Sequence, residues 1–366
     1  MRASPKAHKP SSNGIKIFCR IYESLNEKVF RKNFCGGEGT LKNFYKIFAA
    51  IVLSLSLLAG TSFAAPAWQL PAQGKVFTDE AKQIYIGNTM GRLLREQFKI
   101  DFAVPSGWTY EKFSADGVPV ERLVNPKQKK SSRVVLQLHG GGYVGHLSDW
   151  YRDCAIKQAV ITDAREIFMV DYRVAPEHLY PAALDDTAKV YEYLLGKVNA
   201  ENIIVIGDSA GGNLALALSL KLKEEKLPQP AMLILLSPRT TFETDFPSMT
   251  ENADRDLVLG KNNPKMYEAV FNPVYAGKIP LNDPRLSPIY ADLKGLPPTL
   301  IQIGGYELFV DEGIEFLKKA TADELNVTLS VYRGMPHDFS ILLPELDESV
   351  KSFAEIKNFV NLYMNK

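Results

Sequence analysis

Beyond about residue 115 the chain alternates short apolar runs with amphipathic stretches. Val134–Leu138, Ile167–Val170, Ile203–Ile206, Met232–Leu236, Thr299–Ile303 and Val327–Val331 are apolar runs of strand length. Trp150–Thr162, Pro181–Leu195, Gly212–Lys223, Asp311–Ala320 and Leu346–Met364, between or after them, read as helices. Strands alternating with helices predict an α/β fold, a mostly parallel central sheet with helices on both faces. In such a sheet ligands bind beyond the carboxyl ends of the strands, so the sequence just after each strand is where chemistry is expected.

Two stretches depart from this rhythm. Within residues 66–112, Ile84, Ile86, Met90, Leu93, Leu94 and Phe98 recur at helical spacing behind Thr78-Asp79-Glu80, a helix-start signature. The Pro-rich stretch 238–298 predicts a loop-and-helix insertion. The expected organisation is therefore N-terminal helices over 66–115 and a catalytic domain over 116–366, interrupted around 238–298.

The first 65 residues form a different kind of segment. Residues 1–46 carry ten Lys+Arg against three Asp+Glu, and the 14-residue apolar run Ile47–Gly60 follows. That run is shorter than the roughly 20 residues of a membrane span. With its basic flank and Ser62-Phe63-Ala64, it predicts a secretory signal cleaved near Ala64–Ala65, and so a periplasmic or secreted protein without a membrane span after cleavage. A basic region of 46 residues is long for a signal, whereas Leu41 onward has the proportions of a complete one. Gly36-Gly-Glu-Gly39 would be encoded by purine-rich triplets, so residues 1–40 are expected to reflect a mis-assigned translation start.

Composition narrows the function class. The 366 residues are 46% hydrophobic and 23% charged, which excludes disorder, collagen-like structure and a multi-span membrane protein. Lys+Arg number 43 and Asp+Glu 42, so no overall basic field exists for nucleic acid. Beyond residue 65 the counts become 33 and 39, a mildly acidic chain. Three cysteines without a C-x-x-C pair exclude a disulfide framework and suggest no zinc or redox site.

The sharpest motif is Gly207-Asp208-Ser209-Ala210-Gly211, between a strand and a helix. It fits G-x-S-x-G, in which small flanking residues let a strand turn abruptly into a helix with the serine at a strained tip. A serine hydroxyl needs an adjacent base, and for this elbow the chain order is serine, acid, histidine. Of His139, His146, His178 and His337, only His337 follows Ser209. The acid is sought after Thr299–Ile303, where Glu307, Asp311 and Glu312 compete; Glu307 is closest to the strand end, and the other two open the next helix, where acids favour the dipole. His139-Gly140-Gly141-Gly142 follows strand Val134–Leu138, and glycines there let main-chain N–H groups approach an oxyanion. With the N–H of Ala210 this loop would complete an oxyanion hole, His139 holding the loop and not acting as a base. Gly140–Gly145 also matches G-x-G-x-x-G, with Asp171 ending the next strand, but a dinucleotide site would leave the elbow and His337 without a role.

Together these residues resemble the hormone-sensitive-lipase-like branch of the α/β-hydrolases, family IV among bacterial esterases. The likeness runs through His139–Gly142, Asp171-Tyr-Arg-Val-Ala-Pro-Glu-His178, Tyr180-Pro-Ala-Ala-Leu-Asp185, Gly207–Gly211, Asp311-Glu312-Gly313 and Gly334-Met335-Pro336-His337, over roughly residues 80–360. The resemblance implies a triad of Ser209, Glu307 and His337 and an oxyanion hole of Gly141, Gly142 and Ala210. It makes His139, Gly140, Asp208, Asp171 and Glu177 supports for the site. It also implies a cap built from the N-terminal helices and part of 238–298, small soluble acyl esters as substrates, and neither metal nor cofactor. Two residues depart from the family: Glu307 stands where Asp is usual, and Asp338 where Gly is usual. A carboxylate beside His337 is expected to raise its pKa and move the pH optimum upward. The expected activity is that of an exported serine carboxylesterase acting on short- to medium-chain esters. Cleavage of an amide, lactone or thioester on the same scaffold and a non-catalytic binding module are the competing expectations, and a homodimer through the last sheet edge is compatible with all three.

Overall fold

A computed structural model describes residues 68–364, all within one compact unit spanning 64–366. The expected signal segment and translation start lie outside the described residues. Eight strands form one sheet: β1 (Thr109–Ala115), β2 (Val118–Val124), β3 (Val134–Leu138), β4 (Glu166–Val170), β5 (Ile203–Asp208), β6 (Met232–Leu236), β7 (Thr299–Gly304) and β8 (Val327–Tyr332). Their order is β1-β2-β4-β3-β5-β6-β7-β8; β1–β2 and β2–β4 run antiparallel and all other pairs run parallel. The helices are α1 (Asp79–Arg95), α2 (Asp149–Ile161), α3 (Ala182–Leu195), α4 (Ala210–Glu224), α5 (Ser248–Glu251), α6 (Pro264–Phe271), α7 (Val310–Ala322), α8 (Phe339–Leu342) and α9 (Asp347–Met364).

The six apolar runs are the six parallel-paired strands; β3 to β7 are buried at every position because they are covered on both faces, whereas the edge strand β8 is only half-buried. Successive side chains point to opposite faces, so the central runs feed two cores. Leu136, Val205 and Leu235 join Leu214 and Phe316 of α4 and α7 in one core. Val135, Ile206 and Ile234 join Ala155, Phe353 and Phe359 of α2 and α9 in the other. Truncating a fully buried member such as Leu136 to alanine would cost about 2–5 kcal/mol.

Two boundaries differ from the sequence expectation. Among the described residues, 68–115 hold one helix, α1, and then β1, so the segment expected to be helical over 66–115 is helical only in part. The hairpin β1–β2 was hidden because one face of β1 is exposed and charged and β2 contains Pro119, though Asp116-Gly117 between them is a tight-turn pair. In α1 the buried stripe is Lys82, Ile86, Met90 and Leu93, while Ile84 is 59% exposed. Within 238–298, only part covers the site: Met249, Ala253, Leu259 and Val270 pack with Ile86 and Met90 of α1 into a third cluster that includes Leu308, Phe309 and Met335. Leu286, Ile289, Leu293 and Leu296, spaced three and four apart, return to the main core.

Register aligns the carboxyl ends of the strands. Leu138 pairs with Gly207, Asp208 with Leu236, Leu236 with Gln302, and Gly304 with Tyr332. The segments after β3, β5, β6, β7 and β8 therefore emerge at one edge, beneath the α1–α6 cluster. Among the described residues no helix is long and apolar enough to cross a membrane.

Candidate active site

Ser209 sits between β5 and α4 at φ 50° and ψ −116°, a left-handed backbone that non-glycine residues rarely adopt. Packing enforces this turn, since a Cβ on Gly211 would overlap the Leu138 carbonyl and one on Gly207 the Gly211 carbonyl. Ser209 N–H donates to Leu236 O at 2.9 Å and its carbonyl accepts from Arg239 N at 3.2 Å, so β6 clamps the elbow.

His337, on the turn after β8, is 2% exposed, and its Nδ1 lies 2.7 Å from Glu307 Oε2. Glu307 is fully buried; its Oε1 accepts from Ser237 Oγ at 3.1 Å and from Gly304 N. Asn252 Nδ2 binds the Glu307 carbonyl at 3.0 Å, and Asp256 Oδ2 accepts from Leu308 N at 3.0 Å, which fixes the loop that carries the acid. Burial pushes the Glu307 carboxyl up, to about 7, while the hydrogen bond and charge of His337 oppose it. Three donors converge on this one carboxylate and favour its ionised form against the cost of burial.

The other nitrogen of the ring faces a second acid. Asp338 Oδ2 lies 3.2 Å from His337 Nε2, and no hydrogen bond occupies Nε2 among the described residues. Asp338 is held in the left-handed region, φ 52° and ψ 31°, and its N–H donates to Ser237 Oγ at 3.0 Å. One hydroxyl thus ties both carboxylate-bearing segments together. Burial pulls the His337 pKa down, but the nearby charges of Asp338 and Glu307 and the Glu307 hydrogen bond outweigh it and hold the imidazole well above its ordinary value.

The glycine loop after β3 bends at Gly141 and Gly142, with φ 100° and 63°, and is closed by Gly145 N–H to Gly141 O at 3.0 Å. The Gly141 and Gly142 N–H groups donate to no atom of the fold among the described residues. Ala210 opens α4, where first-turn N–H groups have no intrahelical acceptor. Asp208 joins this loop to the elbow: Oδ1 accepts from Gly140 N at 3.1 Å and Oδ2 from Tyr151 Oη at 3.0 Å. Burial and the neighbouring Asp338 charge raise the Asp208 pKa well above its ordinary value. His139 is fully buried, stacks on Tyr172 at 4.1 Å and binds its own loop through Nδ1 to Gly140 O at 2.9 Å. Burial pushes its pKa down to about 4, so it is neutral and suited to holding the loop.

Ser209, Gly141, Gly142, Ala210, His337 and Asp338 all line one cavity of about 330 Å³. The remaining candidates lie apart from it. Asp311 Oδ2 accepts from Ser248 N at 2.8 Å, and Glu312 is buried with Oε1 on Thr240 N at 2.7 Å; neither shares a hydrogen bond with His337. Asp171 accepts from Leu147 N at 3.4 Å and so steadies the segment after the glycine loop. Glu177 is exposed, and the supporting role given to it falls instead to the buried Asp186, which binds Arg173 N at 3.0 Å and its guanidinium at 2.8 Å. Gly140–Gly145 closes on itself and the next helix begins only at Asp149, which is not the glycine turn of a dinucleotide site. Among the described residues no group of His, Cys, Asp or Glu could hold a metal ion. Ser237, Arg239 and Tyr151 carry no sequence signature of their role; Ser237 and Arg239 stand directly after β6, where the sequence shows no motif.

Residues 135–341 match a family model described as alpha/beta hydrolase fold. An esterase of Acinetobacter venetianus is 34% identical over 239 residues, covering 63% of this chain and 76% of that protein. The putative acetyl-hydrolase LipR of Mycobacterium tuberculosis is 31% identical over 282 residues, 75% and 89% of the two chains. A crystal structure of an esterase from the bacterial hormone-sensitive lipase family superposes with a TM-score of 0.67 at 30% identity, over 79% of this chain and 93% of that one. A hormone-sensitive lipase from a metagenome library gives 0.70 at 29% identity, over 79% and 100%.

Proposed function

The chain belongs to the hormone-sensitive-lipase-like esterases of the α/β-hydrolase family and is a carboxylic ester hydrolase, and we propose that it acts as a serine esterase through an acyl-enzyme on Ser209. The observation that carries this reading is the chain Ser209–His337–Glu307: the elbow serine and the histidine line one cavity, and the histidine rests on the acid at 2.7 Å.

In the reaction, His337 Nε2 takes the proton of Ser209 Oγ as Oγ forms a bond to the ester carbonyl carbon. Glu307 holds the ring in the tautomer that leaves Nε2 free to accept and stabilises the imidazolium that forms. The N–H groups of Gly141, Gly142 and Ala210 receive the developing oxyanion. Collapse of the tetrahedral intermediate expels the alcohol, which takes the proton from His337; water, deprotonated by the same base, then releases the acid. Asp338 favours the protonated ring, so the base form appears only at raised pH.

A cavity of about 330 Å³ suits short- to medium-chain acyl groups. Export through the N-terminal segment, to the periplasm or beyond, belongs to the same reading, as does a homodimer through the open edge of β8. Hydrolysis of p-nitrophenyl esters from acetate to palmitate by the full chain and its Ser209→Ala variant tests it. Turnover that falls with chain length and vanishes in the variant is expected; undiminished turnover in the variant would overturn it.

A further inference from the structure

One wall of the cavity carries a buried cation that the reaction does not use. Arg239 follows β6 by three residues, is 6% exposed and lines the cavity with Phe242 and Phe309. Its Nε donates to Thr241 O at 2.8 Å and its Nη2 to Phe242 O at 3.3 Å. The guanidinium carbon lies 4.8 Å from the Phe242 ring and 5.1 Å from that of Phe309, which itself meets His337 edge-on. Among the described residues no carboxylate lies within 4.0 Å of this guanidinium. The acid that acts on it from farther away is Glu312, engaged with Thr240 N and pushed up to about 8 by burial, hence mostly uncharged at pH 7.

A guanidinium taken out of water and balanced only by carbonyl dipoles and ring faces is costly unless an anion completes it. Its planar fork matches a carboxylate with two parallel hydrogen bonds. Asp338 decides which arm of an ester brings that anion. It stands 3.2 Å from Nε2, the atom that hands a proton to the leaving oxygen, so an anionic alcohol arm would depart past a like charge. The acyl arm meets no such obstacle.

We propose that Arg239 selects esters whose acyl arm ends in a carboxylate, the half-esters of short dicarboxylic acids. This rests on the serine-esterase reading above. Monoethyl glutarate and ethyl pentanoate share chain length and leaving group and differ only in the distal carboxylate. With the full chain at pH 8, kcat/KM by pH-stat should favour the half-ester by about 10- to 100-fold, the range of one or two charge-assisted hydrogen bonds. Arg239→Met should erase most of that ratio and Arg239→Lys restore part of it. Arg239→Gln keeps an amide donor for the Thr241 and Phe242 carbonyls and serves if the Met variant does not fold. A wild type that prefers ethyl pentanoate, or a ratio unchanged in a folded charge-free variant, overturns the proposal while leaving the esterase reading intact. A folded wild type that cleaves neither ester overturns both.

Discussion

Asp338 Oδ2 stands 3.2 Å from His337 Nε2, on the side of the ring opposite Glu307. The histidine is therefore flanked by carboxyl groups at both nitrogens, with Asp208 and Asp256 also acting on it from nearby segments. Its pKa is held well above the ordinary value of 6.5. A general base must be neutral, so kcat/KM should rise only on the alkaline side of that value. Asp338→Asn removes the charge and should move the rise to lower pH; an unmoved midpoint would refute the role given to Asp338. Stability follows the same linkage: the His337 contribution is complete below the ordinary histidine pKa and is lost as pH climbs through the raised one.

Ser237 holds Glu307 and the Asp338 backbone with one hydroxyl. Ser237→Ala should lower kcat by about 10- to 100-fold, as expected when an orienting hydrogen bond is lost, and should also shift the pH midpoint, because both acids beside His337 are loosened. A drop in kcat with an unchanged pH profile would reduce Ser237 to a packing residue.

Glu307 and Asp311 are separated by function as well as by four positions. Glu307→Gln should cost about 10²- to 10⁴-fold in kcat by favouring the wrong tautomer of His337. Asp311→Asn, which weakens the contact with Ser248 N, should cost less than about tenfold. The reverse order would move the acid of the triad.

Stability at low pH should depend on a group remote from the site. Burial raises the Glu121 pKa, but Arg152, Lys112 and Tyr110 outweigh it and bring the carboxyl to about 2. Arg152 binds it through Nε at 2.5 Å and Nη2 at 2.7 Å. The lowered pKa contributes stability above the ordinary value near 4.5, lost as pH falls from there toward 2. Arg152→Ala should cost about 1–3 kcal/mol at pH 7, less than a fully buried pair because solvent reaches the edge of this one. Urea titrations at pH 7 and pH 3 would show the difference shrinking in acid; an equal loss at both would refute it.

The central parallel strands were legible because burial on both faces makes them largely apolar, and five of the six both begin and end within a residue of the sequence boundaries, β5 running two residues further. The hairpin β1–β2 was not, since Thr109–Ala115 mixes charged with apolar positions on an open sheet edge. The site divides in the same way. Ser209, His337 and the glycine loop announce themselves because their chemistry needs a fixed local pattern. Ser237 and Arg239 act through contacts made only when β6 is laid between β5 and β7, and no local pattern encodes that neighbourhood. Glu177, chosen by resemblance, proved exposed, and the buried anchor of that segment is Asp186, nine residues further on.

The central claim is that Ser209 is the nucleophile. Incubation of the folded full chain with a fluorophosphonate at pH 8, followed by intact-mass and peptide mapping, should give one adduct, located on Ser209 and absent from Ser209→Ala. An unlabelled folded wild type, or an adduct that persists in the variant, would contradict the account.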